Sequence, residues 1–148
     1  MSRFVLALLS AALVGGFAHA AEPVVVLVVN AKVPVTSLTT DEAKSVYLGR
    51  TTMWSDNTPV RVFDRPVSRP VGVAFYAKVL HMVPMRFRRH WQSQQLSGRS
   101  LAPQTVVQVE ELCAAVANTP GAIGYALQDE LPTPLPPGVR VIPLVLPK

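Results

Sequence analysis

The sequence contains one cysteine, Cys113, in 148 residues. No internal disulfide can form, so stability in an oxidising compartment would have to come from packing alone. The stretch "VEELCAAVAN" puts Cys113 on the apolar face of a helix with no histidine nearby in sequence, as expected of a buried, inert thiol. The chain has no Gly-x-Ser-x-Gly elbow, no Walker loop and no His-Glu-x-x-His pair. Beyond the first twenty residues its only histidines, His81 and His90, are too isolated for a metal cluster. With no paired nucleophile and base, no catalytic residue, metal or cofactor is expected and the protein reads as a non-enzyme. Long apolar runs are missing as well. The run from Phe4 to Phe17 falls short of the roughly 20 residues that cross a bilayer, and His19, Glu22 and Pro23 separate it from the next run.

That first run has a positive assignment. "MSRFVLALLSAALVGGFAHA" places one arginine before the apolar segment and ends in Ala18-His19-Ala20, small residues at the two positions a signal peptidase reads. Residues 1–20 are expected to be an export signal. Residues 21–148 are then one soluble domain, periplasmic or secreted, with no membrane insertion after cleavage. A lipid anchor at that point would need a cysteine there, and Cys113 is far away. The remaining 128 residues suffice for one core and not for two full domains.

Acidic residues are nearly absent from the middle of the chain. From Arg61 to Arg99 there are eight basic residues and a single acid, Asp64, a block of net +7; the rest of the mature chain is net −3. Such asymmetry fits an anionic ligand or an acidic partner, and equally a solvated basic face. The export signal argues against nucleic acid.

Periodicity supplies the elements. "VVVLVVN" is a β-branched run without polar alternation, the pattern of a strand covered on both faces, which points to an α/β sheet. "LTTDEAKSVYLG" carries a capping box, Thr39 with Glu42, and Gly49 as a stop. "TPVRVFD" reads as a strand ending at Asp64, followed by the loop "DRPVSRP" and a helix with Ser68 as the natural N-cap and Phe75, Val79 and Met82 as its apolar stripe. Pro84 opens a further helix, "MRFRRHWQSQQ". Its Phe87 and Trp91 share one face while Arg86, Arg89 and His90 largely occupy the others. "VEELCAAVAN" is a fourth helix; "AIGYAL" and "VRVIPLVL" are strands joined by the proline-stiffened "PTPLPPG". No internal repeat is present. The basic aromatic stretch around Phe87 reads as core aromatics with solvated arginines rather than a membrane or polyanion surface.

The loop "DRPVSRP" is the strongest candidate for ligand chemistry. It sets Asp64, Arg65, Ser68 and Arg69 between a strand end and a helix start, where open α/β sheets bind ligands and helix N-termini attract anions. Arg65 or Arg69 would hold an oxyanion through a charge-assisted fork and Ser68 would donate its hydroxyl. Asp64 would accept from a protonated phosphate. The alternative is plain architecture, with Ser68 as N-cap and Asp64 paired with an arginine at the surface.

Three segments, "LTTDEAKSVYLGRTTMW", "FDRPVSRPVGVAFYAKVL" and "TPGAIGYAL", together resemble the periplasmic phosphate-binding-protein family of ABC transporters. Tyr47, Gly49, Arg50 and Trp54 fill the places of the family's Ile-Phe-x-Gly-Lys and Trp; Arg65 matches the arginine of its Arg-x-x-x-Ser-Gly-Thr loop. At the Ser-Gly-Thr place stand Arg69, Pro70 and Val71, with Ser68 displaced by one, and the proline removes an N–H. The resemblance covers most of the mature chain, Val24 to about Val145. It implies a three-layer α/β sandwich lobe of the type II periplasmic-binding-protein fold, with a central, mostly parallel sheet flanked by helices, in a short single-lobe version holding half a cleft. The implied function is that of a solute-binding-protein-like protein binding phosphate or another small oxyanion weakly at Asp64, Arg65, Ser68 and Arg69. From another class comes a non-catalytic interaction module that docks a protein partner, or pairs as a homodimer, through the half-cleft or the basic face.

Overall fold

The structure is a computed structural model that describes residues 22–98 and 101–147; the expected export signal, 1–20, lies outside the described residues. In chain order the elements are β1 (Val25–Asn30), β2 (Leu38–Thr39), α1 (Thr40–Tyr47), β3 (Arg61–Asp64), α2 (Pro70–Phe75), a π-helical segment (Tyr76–Leu80), α3 (Pro84–Leu96), β4 (Gln104–Thr105), α4 (Val109–Asn118), β5 (Ala122–Leu127), a 3₁₀ turn (Gln128–Glu130), β6 (Val139–Ile142) and β7 (Leu144–Val145).

Five strands form the main sheet in the order β4-β3-β5-β1-β6. β3 runs parallel to both β4 and β5, and β1 is antiparallel to its neighbours β5 and β6, so the sheet is mostly parallel in strand direction: β4, β3, β5 and β6 point the same way and β1 runs against them. The β-branched run of β1 is covered on both faces, as its lack of polar alternation predicts. Leu27 and Val29 join Ile123, Tyr125 and Ile142 in a core capped by α1, α2 and α3. Val28 points the other way, with Phe63, Ala122, Ala126 and Val139, into a second core under α4. The result is helix, sheet, helix. Asn30 closes the far end of this sandwich, donating from Nδ2 to the carbonyls of Val116 (2.9 Å) and Ala117 (3.2 Å) in the last turn of α4.

The capping box forms as expected. The Thr39 hydroxyl accepts from the Glu42 N–H (3.1 Å), and the Glu42 carboxylate accepts from the Thr39 N–H (2.7 Å). Gly49 follows α1 at φ 72°. Phe87 and Trp91 are buried while Arg86, Arg88 and Arg89 are exposed, so the basic aromatic stretch divides into core and solvated charge. Cys113 is buried, and burial pushes its thiol pKa up.

Two local expectations are corrected. Ser68 does not cap the helix after β3; the N-cap is Arg69, and no side chain caps it. The Arg69 N–H donates to Pro66 O (3.0 Å), and the Val73 N–H donates to Arg69 O (3.0 Å), so the helix starts one residue later than the serine suggests. α2 also rests directly on the loop backbone. A Cβ on Gly72 would lie 2.2 Å from Pro66 O, and only a glycine allows this approach. The second correction concerns "VRVIPLVL", which forms two strands. Pro143 has no N–H to continue the ladder, and past it the chain leaves the main sheet to pair with β2 as β7.

Candidate functional site

The carboxyl ends of the parallel strands β3 and β4 open onto a groove of about 520 Å³. One wall is the loop from Asp64 to Ser68. The other comes from α3 through Phe87, Arg88, Trp91, Gln92 and Gln95, with Tyr76 between them.

Asp64, the last residue of β3, is 6% exposed, and its carboxylate is fully engaged. Oδ1 accepts from the Tyr125 hydroxyl (2.6 Å) and from the Arg65 N–H (2.8 Å); Oδ2 accepts from the Tyr76 hydroxyl (2.8 Å). Burial raises the Asp64 pKa above its ordinary 3.8, while the bonds from Tyr125, Tyr76 and the Arg65 N–H pull it down. Burial, and then the nearby charge of Asp64, push the pKa of Tyr76 and of Tyr125 far up, so both phenols stay protonated as donors. The tyrosines are themselves held by rings: Tyr125 stacks on Phe75 with centroids 3.7 Å apart, and Tyr76 meets Phe87 edge to face at 5.2 Å. The surface pairing of Asp64 with an arginine, the architectural alternative, is replaced by a buried bond to two tyrosines. The reason is that β3 ends inside the aromatic layer rather than at its rim.

Arg65 is 3% exposed. Its Nη1 donates to Glu130 Oε1 (2.6 Å) and to Tyr125 O (3.3 Å), and its Nη2 to Val107 O (3.1 Å). Nε is buried with no partner. Arg65 thus ties the loop after β3 to β5, to the turn after it and to the segment before α4. Both ends of its guanidinium fork are occupied by protein.

The four residues singled out from the sequence do not share one hollow. Asp64, Arg65 and Ser68 line the groove, where Ser68 is exposed. Arg69, also exposed, lies with Arg65 on a separate depression of about 350 Å³ that also contains Glu110 and Glu130. Those two carboxylates offset its positive charge. The groove's own free cation comes from elsewhere. Arg88 is exposed, forms no ion pair among the described residues, and its charge lowers the Tyr76 pKa against the other influences. The sequence pattern does not single out Arg88, which stands within a basic run, Arg86 to Arg89, that reads as solvated charge. The usable signal was its spacing. Arg88, Gln92 and Gln95, at i, i+4 and i+7, form a polar stripe alongside the apolar Phe87–Trp91 face.

Among the described residues no three of His, Cys, Asp and Glu are grouped to hold a metal ion, and no helix is long and apolar enough to cross a membrane. The turn before β5 lies at the other end of β3 from the groove. Gly121, at φ 75°, accepts at its carbonyl from Trp54 Nε1 (2.9 Å) and from the Arg61 N–H (3.1 Å), joining the "TPGAIGYAL" segment to the start of β3.

No protein-family model matches the sequence, and no curated protein matches it either. Solved structures do. PstS from Borrelia burgdorferi is similar at 12% identity and a TM-score of 0.64 over 85% of this chain and 49% of its own. A phosphate ABC transporter substrate-binding protein with bound phosphate from Clostridium perfringens is similar at 17% identity and 0.61, over 84% of this chain and 45% of its own. An ABC-type phosphate transport receptor from Vibrio cholerae is similar at 18% and 0.53, over 81% and 45%. The chain therefore spans about half the length of these three structures, and it has the three-layer α/β lobe fold that they contain.

Proposed function

We propose that this chain is a non-catalytic, solute-binding-protein-like protein of the phosphate-transport kind, working outside the cytoplasm, and that its groove takes a phosphate or similar oxyanion weakly. One observation carries this reading: the exposed Arg88, without an ion pair among the described residues, and the exposed Ser68 share the groove at the carboxyl ends of β3 and β4. Strand ends of this kind are where α/β sheets bind ligands. Arg65 serves the site from within, holding the loop in place while its charge is largely met by Glu130. Asp64 fixes the same loop through its tyrosines. The fold likeness to phosphate-binding structures supports the ligand class. An open groove touches one side of an anion, so affinity should fall short of the micromolar range, about 8 kcal/mol, that capture for transport demands.

Titration calorimetry of the mature chain with phosphate and with sulfate tests this. Heat at millimolar ligand is expected, and Arg88→Ala should weaken binding about tenfold, as loss of a charged hydrogen bond of roughly 1.5 kcal/mol would. No heat and no thermal shift at millimolar concentrations of either anion would sink the proposal.

A second reading, docking of a partner protein or a second copy, draws on apolar side chains left in water near the basic helix: Leu96 is 91% exposed, Leu101 78% and Met85 53%. Light scattering decides it for self-association, where a strict monomer at high concentration counts against the idea.

A further inference from the structure

The groove does not end at its charged part. Val67, Tyr76 and Pro84 line it and also line a second hollow of about 430 Å³ on the far side of the same ridge. The other walls of that hollow are Gly72, Val73, Ala77, His81, Met82 and Val83, apolar apart from His81. Its shape follows from the way the helix ends after the π-helical segment. The π-helical segment ends at His81, whose backbone is left-handed (φ 49°), and the Met82 N–H turns back to Tyr76 O (3.1 Å). Met82 and Val83 are thereby brought opposite Val73 and Ala77. Val73 and Val83 are 57% and 65% exposed, so each still has apolar area to bury.

Size argues in the same direction. At about 30 Å³ per oxygen-sized group, an inorganic tetrahedral oxyanion fills on the order of 100 Å³. The charged groove alone holds about 520 Å³, walled by Phe87, Trp91, Ala102 and Pro103 as well as by polar groups. A bare anion would leave most of both hollows to water. Apolar walls continuous with an unpaired cation are complementary to a ligand with an anionic head and an apolar body.

We infer that the ligand of this groove is an organic oxyanion carrying a short apolar substituent, a phosphate monoester in kind. Its head meets Arg88 and Ser68, and its hydrocarbon crosses the Val67–Tyr76–Pro84 ridge into the hollow walled by Val73, Ala77, Met82 and Val83. This inference rests on the reading of the groove as an anion site.

The test is a chain-length series on the mature protein: inorganic phosphate, then ethyl, butyl and hexyl phosphate. Calorimetry and the fluorescence of Trp91, which lines the groove, are the readouts. Affinity should rise by up to about fourfold for each methylene that enters the hollow. Val73→Ser and Val83→Ser, both on exposed side chains and checked for an unchanged unfolding midpoint, should flatten that rise, and Arg88→Ala should weaken every member alike. If alkyl phosphates bind no tighter than phosphate, the inference is overturned and the oxyanion reading stands. If no member of the series binds, both fall together. A rise that persists unchanged in the doubly substituted protein places the hydrocarbon elsewhere and overturns the inference.

Discussion

Asp64 carries the clearest single-residue consequence, because it is an acid placed inside the protein with three donors on it. Burial raises its pKa above the ordinary 3.8, and burial is the largest influence on it. The folded state thus holds its proton to higher pH than the unfolded chain does. Between the two pKa values the native state binds more protons, and stability falls as pH rises. The contribution of Asp64 is present in full below about pH 3.8 and is lost as pH climbs through the folded value. Each unit of elevation is worth about 1.4 kcal/mol. Asp64→Asn cannot titrate, so urea unfolding of both proteins across pH 3.5 to 8 should show wild type losing stability relative to the variant as pH increases. A flat comparison would mean that the hydrogen bonds balance burial at this carboxylate, and wild type gaining stability relative to the variant as pH rises would mean that they outweigh it.

At the scale of elements, α2 is held by a contact that helix propensity opposes. Gly72 is the weakest helix former in α2 apart from the N-terminal Pro70, and alanine there would gain about 1 kcal/mol by propensity alone. The packing decides otherwise, since the added Cβ would sit 2.2 Å from Pro66 O and 3.0 Å from Val67 Cα. Backbone atoms cannot swing aside as a side-chain tip can, so Gly72→Ala should destabilise by about 1–3 kcal/mol, as overpacking does, and displace the loop that forms one wall of the groove. Thermal unfolding measures the first effect, and the calorimetric affinity for phosphate the second. A stabilised Gly72→Ala would show that propensity rules this helix. The same contrast explains what was legible in the sequence. The Thr39–Glu42 capping box, the Pro84 helix start and the buried run of β1 are local patterns, and each formed where its residues indicated. The cap of α2 was not legible, since Ser68 looks the better N-cap and loses to a tertiary contact made by Gly72. β4 has two residues and exists only because Phe63 and Asp64 pair with Gln104 and Thr105; nothing in "PQTV" announces it. At the site, the loop bearing Asp64, Arg65 and Ser68 was readable as a strand-end loop. Its opposite wall was not, because which flank of α3 meets the groove is set by how Phe87 and Trp91 pack.

For the molecule as a whole, the central question is whether two cores make one folding unit. One lies under α1, α2 and α3 and contains both tryptophans, Trp54 and Trp91; the other lies under α4. They are joined by covalent geometry. Successive side chains of β1 point to opposite faces, so Leu27 and Val29 cannot be withdrawn from the first core without removing Val28 from the second. β5 repeats the arrangement. Tyr125 faces the aromatic layer and Ala126 faces α4, while Gly124 leaves room for Leu112, whose Cδ1 would lie 2.6 Å from a Cβ there. Cooperative, two-state unfolding is expected from such an arrangement. Leu112→Ala tests it, since Leu112 is fully buried in the core that contains no tryptophan. The substitution should cost about 2–5 kcal/mol, the range for a buried leucine cut to alanine. Tryptophan fluorescence watches the opposite face of the sheet and far-ultraviolet circular dichroism watches every helix, so the two urea transitions should coincide in wild type and move together in the variant. If Leu112→Ala lowers the dichroism midpoint and leaves the fluorescence midpoint in place, the α4 layer unfolds by itself. The groove, built wholly on the other layer apart from the reach of Arg65 toward Val107 and Glu130, would then keep its shape without it.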